Sequence, residues 1–289
     1  MPAFDPVALI GRQSGTRSTD AVRELAEFLA GRGCGVLIER TTADLTGVEG
    51  YPKVEFADIG TRAKLAIVLG GDGSMLSAAR QLAAHRVPLV GVNQGRLGFM
   101  TDIAQKRMLE SMGELIDGRY SVEDRTMLSA QVLRGPDTLL STVALNDVVV
   151  SKGPGGRLIE FLIHIDGEFV YDLRSDGLIV ATPTGSTAYS LSSNGPILHP
   201  ALTGLVLVPI CPHTLSNRPI AVGDRSSIVI TLKHGRDAQL NTDGQAPIEL
   251  REGDRVAVKR AEHSIRFLHP PGYSYFAMLR EKLHWSEMY

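Results

Sequence analysis

Cysteine is nearly absent from this 289-residue chain: Cys34 and Cys211 are the only two, far apart and outside any metal-ligand spacing. That excludes a disulfide scaffold and a zinc finger or ribbon, and it fits a reduced, cytoplasmic protein. Long apolar runs are missing too. Stretches such as 205–210 fall far short of the roughly 20 residues that a membrane helix needs. The opening Met1-Pro2-Ala3-Phe4-Asp5-Pro6 has neither the basic start nor the apolar centre of a secretory leader. No sign of charge prevails, since the formal net charge is −2. Such a balance gives no electrostatic ground for wrapping nucleic acid or lying on an anionic membrane. Internal repeats, low-complexity tracts and long linkers are also lacking.

The composition that remains, 43% hydrophobic and 21% charged, is enough for a sizeable core. The length suits two domains of roughly 100–200 residues each. The first third alternates strands and helices. Strands are expected over 7–11, 35–38, 65–69 and 88–92, and helices over 19–30 and 75–84. Val22, Leu25, Ala26 and Leu29 make the apolar stripe of the first helix, and Gly31 and Gly33 end it. The continuous run Leu65-Ala66-Ile67-Val68-Leu69 reads as a strand buried on both faces of a parallel sheet. Near Tyr120 the rhythm changes to strand after strand, over 143–150, 158–165, 177–181, 228–232 and 255–259, with one short helix at 187–193. A last helix is expected at 275–283. The expected architecture is an N-terminal open parallel α/β domain (1–120) and a C-terminal β-sandwich domain (121–268). A segment over 269–289 is expected to return to the first domain.

Three clusters carry chemistry. In Leu69-Gly70-Gly71-Asp72-Gly73-Ser74 a buried strand ends in glycines and a helix begins at once. Glycines there let backbone N–H groups approach a phosphate, and the helix N-terminus adds partial positive charge. A carboxylate beside phosphate-binding amides repels the ligand unless it has a task, such as holding magnesium or taking a proton from a hydroxyl. The loop is neither a Walker A motif nor Gly-x-Gly-x-x-Gly. An ordinary Asp-Gly turn capping a helix would read the same way. The second cluster is Arg174-Ser175-Asp176-Gly177 followed by a hydroxyl-rich loop from Thr182 to Ser192. It offers donors for ribose, amide or phosphate oxygens, or else uses its hydroxyls for local turns. The third is the polar pair Asn146-Asp147 within an apolar strand, suited to vicinal ribose hydroxyls or an adenine edge, or else to a bulge or strand-end turn.

Taken together and in this order, the three clusters resemble the signatures of NAD kinases. Further similarity lies in Gly91-Val92-Asn93, Gly95-Arg96-Leu97-Gly98-Phe99, Pro212-His213-Thr214-Leu215-Ser216-Asn217-Arg218-Pro219 and Asp243-Gly244-Gln245, and it runs from about Val7 to Trp285. The Gly-Gly-Asp-Gly motif alone is shared with diacylglycerol and sphingosine kinases. The resemblance implies ATP-dependent phosphorylation of the adenosine 2′-hydroxyl of NAD, with a divalent metal such as magnesium, and assembly as a homodimer or homotetramer. It implies that Asp72 is the general base and that Gly73 lines the same site. Phe99 matches a dinucleotide contact. Asn146 and Asp147 match a pair that grips the adenosine end, where the family usually carries glutamate instead of Asp147. Asp176 matches an NAD contact, and Thr187, Ala188, Tyr189, Ser190, Leu191 and Ser192 match the loop around the nucleotide. Arg157, Asp243 and Gln245 match further ligand positions. Arg174 stands where a cation resembles members that prefer oxidised NAD to NADH.

Three other readings stay open on sequence alone. A phosphatase acting on NADP or inositol phosphates would need a carboxylate cluster binding two or more metals, and Asp72, Asp147 and Asp176 would have to converge for that. A lipid kinase would need an apolar substrate channel, which the hydroxyl-rich loop and the Asn146-Asp147 pair oppose. A non-catalytic NAD(P)-sensing module would do better without the Asp72 carboxylate beside phosphates.

Overall fold

The computed structural model describes residues 3–11, 16–95, 98–214 and 216–285. Arg96 and Leu97 of the Gly95–Phe99 motif, and Leu215 of the Pro212–Pro219 motif, lie outside them. The chain divides into two compact units, Met1–Asp124 with Ile265–Tyr289, and Arg125–Ser264.

In the first unit the chain runs β1 (Val7–Gly11), α1 (Thr16–Gly31), β2 (Val36–Glu39), α2 (Arg40–Thr46), β3 (Lys53–Val54), α3 (Phe56–Arg62), β4 (Leu65–Gly70), α4 (Asp72–Leu82), β5 (Leu89–Asn93), β6 (Ile103–Ala104), α5 (Met108–Ile116) and β7 (Ser121–Arg125). Alternating residues of β1 explain the layering. Val7 and Leu9 join the core made with Val22, Leu25 and Leu29 of α1 and Met112 and Leu115 of α5. Ala8 and Ile10, which point the other way, are fully buried too, so the sheet is covered on both faces. The helices α2, α3 and α5 were not legible as helices in the sequence. Two of them are only seven residues long, and the buried face of α2 is Thr42, Ala43 and Thr46, which leaves no apolar stripe.

The second unit begins with β8 (Leu128–Arg134), β9 (Asp137–Ala144), β10 (Asp147–Lys152), β11 (Ile159–Ile165), β12 (Glu168–Ser175) and β13 (Gly177–Ala181). It continues through α6 (Tyr189–Ser192), β14 (Gly204–Ile210), β15 (Ile220–Gly223), β16 (Ile228–His234), β17 (Ala238–Thr242), β18 (Ile248–Glu249) and β19 (Arg255–Arg260). Two six-stranded antiparallel sheets, ordered β15-β14-β13-β10-β17-β18 and β12-β11-β16-β19-β8-β9, form it. Val148, Leu178 and Leu207 from one sheet and Ala130, Phe161 and Ile230 from the other share one core, which makes a β-sandwich. The chain then re-enters the first unit as β20 (Ile265–His269) and α7 (Tyr275–Leu283).

Within the first unit the sheet order is β3-β2-β1-β4-β5-β20-β7, with β6 paired to β5, and β1 to β5 run parallel. The chain leaves β1 toward one edge and β4 toward the other, so the order reverses between these neighbours. Ligands of open α/β sheets bind outside the carboxyl ends of strands at such a switch point. The glycine-rich turn after β4 is placed there.

Two expectations are corrected. The run 143–150 is not one strand: it breaks between β9 and β10 at Leu145 and Asn146, because the backbone there bonds outside the sheet ladder. Thr182 N–H donates to the Asn146 carbonyl at 2.9 Å, and the Leu145 and Asn146 N–H groups donate to Asp243. The helix expected over 187–193 is a 3-10 turn at Gly185–Thr187 followed by the four-residue α6. Its serines and threonines hydrogen-bond locally and do not extend the helix.

Candidate functional site

Asp72 is the first residue of α4, directly after Gly71 at the switch point. Its half-buried carboxylate is held by a segment that follows β5. Phe99 N–H donates to Oδ2 and Met100 N–H to Oδ1, each at 2.9 Å. Each oxygen thus accepts one backbone hydrogen bond, and a carboxylate has about four acceptor positions, so both keep capacity for a substrate hydroxyl. The holding segment is itself fixed. Asn93 Nδ2 donates to Thr101 Oγ1 at 3.0 Å, while its Oδ1 accepts from Gly95 N–H at 2.6 Å. Gly98 has to be glycine, because a Cβ there would overlap both the Asp72 carboxylate and the Thr101 hydroxyl. Gly73 is exposed in the first turn of α4, and Phe99 is half-buried. Lys282 of α7 sets its ammonium 5.9 Å from the centre of the Phe99 ring, a cation–π distance.

In the second unit the structure brings together Asn146, Asp147, Asp243 and the hydroxyl-rich loop. Asp243 adopts a left-handed backbone (φ 50) at the end of β17 and turns its carboxylate toward β10. It accepts from Leu145 N–H at 2.9 Å, Asn146 N–H at 2.7 Å and Asp147 N–H at 3.2 Å. Asp147 is buried beside this carboxylate. Burial first, and the Asp243 charge second, push its carboxyl up to about 7. The loop packs directly on the pair: a Cβ at Gly185 would strike the Asn146 backbone.

Most hydroxyls of that loop serve the fold. Thr182 Oγ1 donates to the Leu145 carbonyl at 2.5 Å and accepts from Gly185 N–H at 3.1 Å. Ser186 Oγ donates to the Pro183 carbonyl, Thr187 Oγ1 to the Thr184 carbonyl, and Thr184 Oγ1 accepts from Arg125. Two polar atoms stand apart. Asn146 Oδ1 and Ser190 Oγ are buried without a hydrogen-bond partner. Buried polar atoms in this state are rare and ask for a ligand or water.

The remaining expected residues are more dispersed. Asp176, between β12 and β13, has the Lys152 ammonium 2.7 Å from its Oδ1. Arg174 is exposed on β12 and lies 3.6 Å from Glu160. Arg157 is exposed ahead of β11, and Gln245 is exposed beyond β17, its Oε1 3.4 Å from Thr242 Oγ1. Thr187, Ala188 and Leu191 are half-buried, whereas Tyr189 and Ser192 are exposed on the loop. Sequence reading did not find the Met100 N–H, Thr101 or Lys282 around Asp72. A backbone donor leaves no residue-type signal, and Lys282 is 183 positions beyond Phe99. Among the described residues no three His, Cys, Asp or Glu gather to hold a metal ion. Among them, too, no helix is long and apolar enough to cross a membrane.

Family models match both parts of the chain: the ATP-NAD kinase N-terminal domain over residues 7–120 and the ATP-NAD kinase C-terminal domain over 145–270. The NAD kinase of Aromatoleum aromaticum is 55% identical over 284 residues, 98% of this chain and 95% of that protein. The NAD kinase of Azoarcus sp. is 54% identical over 98% of this chain and 97% of its own length. Among solved structures, yeast NADH kinase complexed with NADH superposes with a TM-score of 0.90 at 27% identity, covering 100% of this chain and 90% of that one. With both domain models matched and identity above half over nearly its whole length, the chain belongs to the NAD kinase family.

Proposed function

We propose that the chain transfers the γ-phosphoryl group of ATP to the adenosine 2′-hydroxyl of NAD, with Asp72 as general base. Membership of the family supports the reaction. The observation that carries the assignment of Asp72 is its carboxylate, placed at a helix N-terminus on the switch point and oriented by the Phe99 and Met100 N–H groups. Phosphoryl transfer asks a protein chiefly for positioning and charge neutralisation. The first N–H groups of α4, unpaired within the helix by geometry, suit phosphate oxygens, and Gly71 and Gly73 let them come close. The Asp72 carboxylate accepts the ribose proton as the 2′-oxygen attacks phosphorus, and ADP departs with the electron pair of the broken bond.

In the second unit, Asn146 and Asp147 take the adenosine end and residues 187–192 surround the nucleotide. The buried unpartnered Asn146 Oδ1 and Ser190 Oγ support this. Asp176, Asp243, Gln245 and Arg157 belong to the same reading, with Asp243 acting through its hold on the backbone of 145–147. Arg174 favours oxidised NAD over NADH through its positive charge. Magnesium keeps several waters and binds through few carboxylates plus substrate phosphates, which suits a chain whose described residues form no ready metal cage. Bound with ATP, it would neutralise phosphate charge. Work in the cytoplasm as a homodimer or homotetramer completes the reading. Exposed Leu139 on β9 and Phe169 on β12, the two edge strands of one sheet, offer apolar surface for assembly.

The test is a coupled assay with ATP, magnesium and NAD, reading NADP with a strictly NADP-dependent dehydrogenase and running NADH alongside. NADP formation that needs both substrates is expected. NAD binding without NADP would turn the reading to a sensor.

A further inference from the structure

His269, the last residue of β20, is 3% exposed and lies between two carboxylates. Its Nδ1 is 2.9 Å from Asp102 Oδ2, and its Nε2 is 3.1 Å from Glu123 Oε2 of β7. The Tyr273 ring stacks on it at 3.7 Å between centres, and Phe267 meets it edge-on. Only a ring protonated on both nitrogens donates to both carboxylates. Burial lowers its proton affinity, but the hydrogen bonds and charges of Asp102 and Glu123 outweigh burial and raise it above the ordinary histidine value. Asp102, Glu123 and the stacked Tyr273 are titratable groups that face the ring.

Asp102 ends the same segment whose Phe99 and Met100 N–H groups hold Asp72. Thr101, between them, is tied to Asn93. We propose that His269 is a positioning residue for phosphoryl transfer: by clamping Asp102 against Glu123 it fixes residues 98–102, and through them the Asp72 carboxylate. The proposal rests on the reading of Asp72 as the base. Without the imidazolium, two nearly buried carboxylates lose the donor they share, and Asp102 moves toward water. A displacement of about 1 Å at a catalytic group costs on the order of a hundredfold in rate.

The experiment measures kcat, KM for NAD, NAD affinity by titration calorimetry and melting temperature on the full chain for His269→Gln, Asp102→Asn and Asp72→Asn. A pH–kcat profile is added for wild type and Glu123→Gln. Both clamp variants are expected to lose ten- to a hundredfold in kcat, with NAD affinity within threefold of wild type. His269→Gln in an Asp72→Asn background is expected to add no further loss. The wild-type kcat falls on the alkaline side as the ring loses a proton, and Glu123→Gln, which removes one stabilising charge, moves that fall to lower pH. A folded His269→Gln or Asp102→Asn with kcat within twofold of wild type overturns the proposal, as does an alkaline limb that Glu123→Gln leaves in place. If His269→Gln does not fold, Asp102→Asn, which keeps the side-chain shape, decides alone. Full turnover by Asp72→Asn overturns the underlying reading, whatever the clamp variants do.

Discussion

Asp243 Oδ1 accepts a hydrogen bond from the Asn146 backbone N–H at 2.7 Å, across 97 residues of sequence. The carboxylate reaches Leu145 and Asp147 as well, so three successive N–H groups converge on one side chain. This is the reverse of a nest that binds a free anion: the anion is built into the chain. It decides where β9 ends, where β10 begins, and which way the Asn146 and Asp147 side chains face.

Asp243→Ala therefore leaves donors at 145–147 without an acceptor. An unsatisfied buried donor costs about 1–3 kcal/mol, and partial exposure puts this site near the low end. The expected result is a melting temperature lower by several degrees and NAD affinity weaker by about tenfold, while Asp243→Asn, which retains one acceptor oxygen, loses less of both. Thermal melts and NAD titrations of the two variants check this.

Asp147 makes the protein pH-sensitive in a direction opposite to that of an ordinary ion-paired carboxylate. Its carboxyl titrates at about 7, above the usual value near 3.8. Between those values the folded chain keeps a proton that the unfolded chain has released, so stability from this group is fullest in acid and falls as pH rises toward 7. Asp147→Asn should melt higher than wild type at pH 8, with the difference shrinking by pH 5. With the ionised form as the proposed acceptor for ribose hydroxyls, NAD affinity of the wild type should rise through pH 7 and that of Asp147→Asn should not. Equal pH dependence in the two proteins would disprove both statements.

Gly98→Ala is the smallest change that reaches the candidate base. The added methyl overlaps the Asp72 carboxylate and the Thr101 hydroxyl, so the carboxylate is displaced. We expect kcat to fall about a hundredfold and the melting temperature to drop by several degrees, the overlap costing about 1–3 kcal/mol, while NAD affinity changes far less. Steady-state kinetics beside calorimetry would show it.

Ser190→Ala separates a ligand contact from a structural one. Its hydroxyl is buried without a partner, so removing it should leave stability unchanged or raise it by about 1 kcal/mol. If the hydroxyl meets the nucleotide, NAD binds roughly three- to tenfold more weakly, the worth of about one hydrogen bond. Denaturant melts and binding titrations together read both effects.

The legible part of this molecule is what neighbouring residues encode. The apolar run of β4, the stripe of α1 and the Gly-Gly-Asp-Gly turn were plain in the sequence, since periodicity and glycine placement act over a few positions. The residues that orient the chemistry were not. Asp72 is held from 27 and 28 positions away, residues 145–147 from as far as 98, and His269 meets partners 146 and 167 positions distant. The run 143–150 looked like one strand because buried Leu145 continues the apolar pattern. Its backbone partners, Asp243 and Thr182, lie in loops that periodicity cannot connect.

The most direct measurement is single-turnover NADP formation by Asp72→Asn, an isosteric change that keeps one acceptor oxygen for the Met100 or Phe99 N–H and removes the proposed base. The account predicts a rate lower by at least a thousandfold, with NAD bound as tightly as by the wild type. Turnover within tenfold of wild type would contradict it and move the proton transfer away from Asp72.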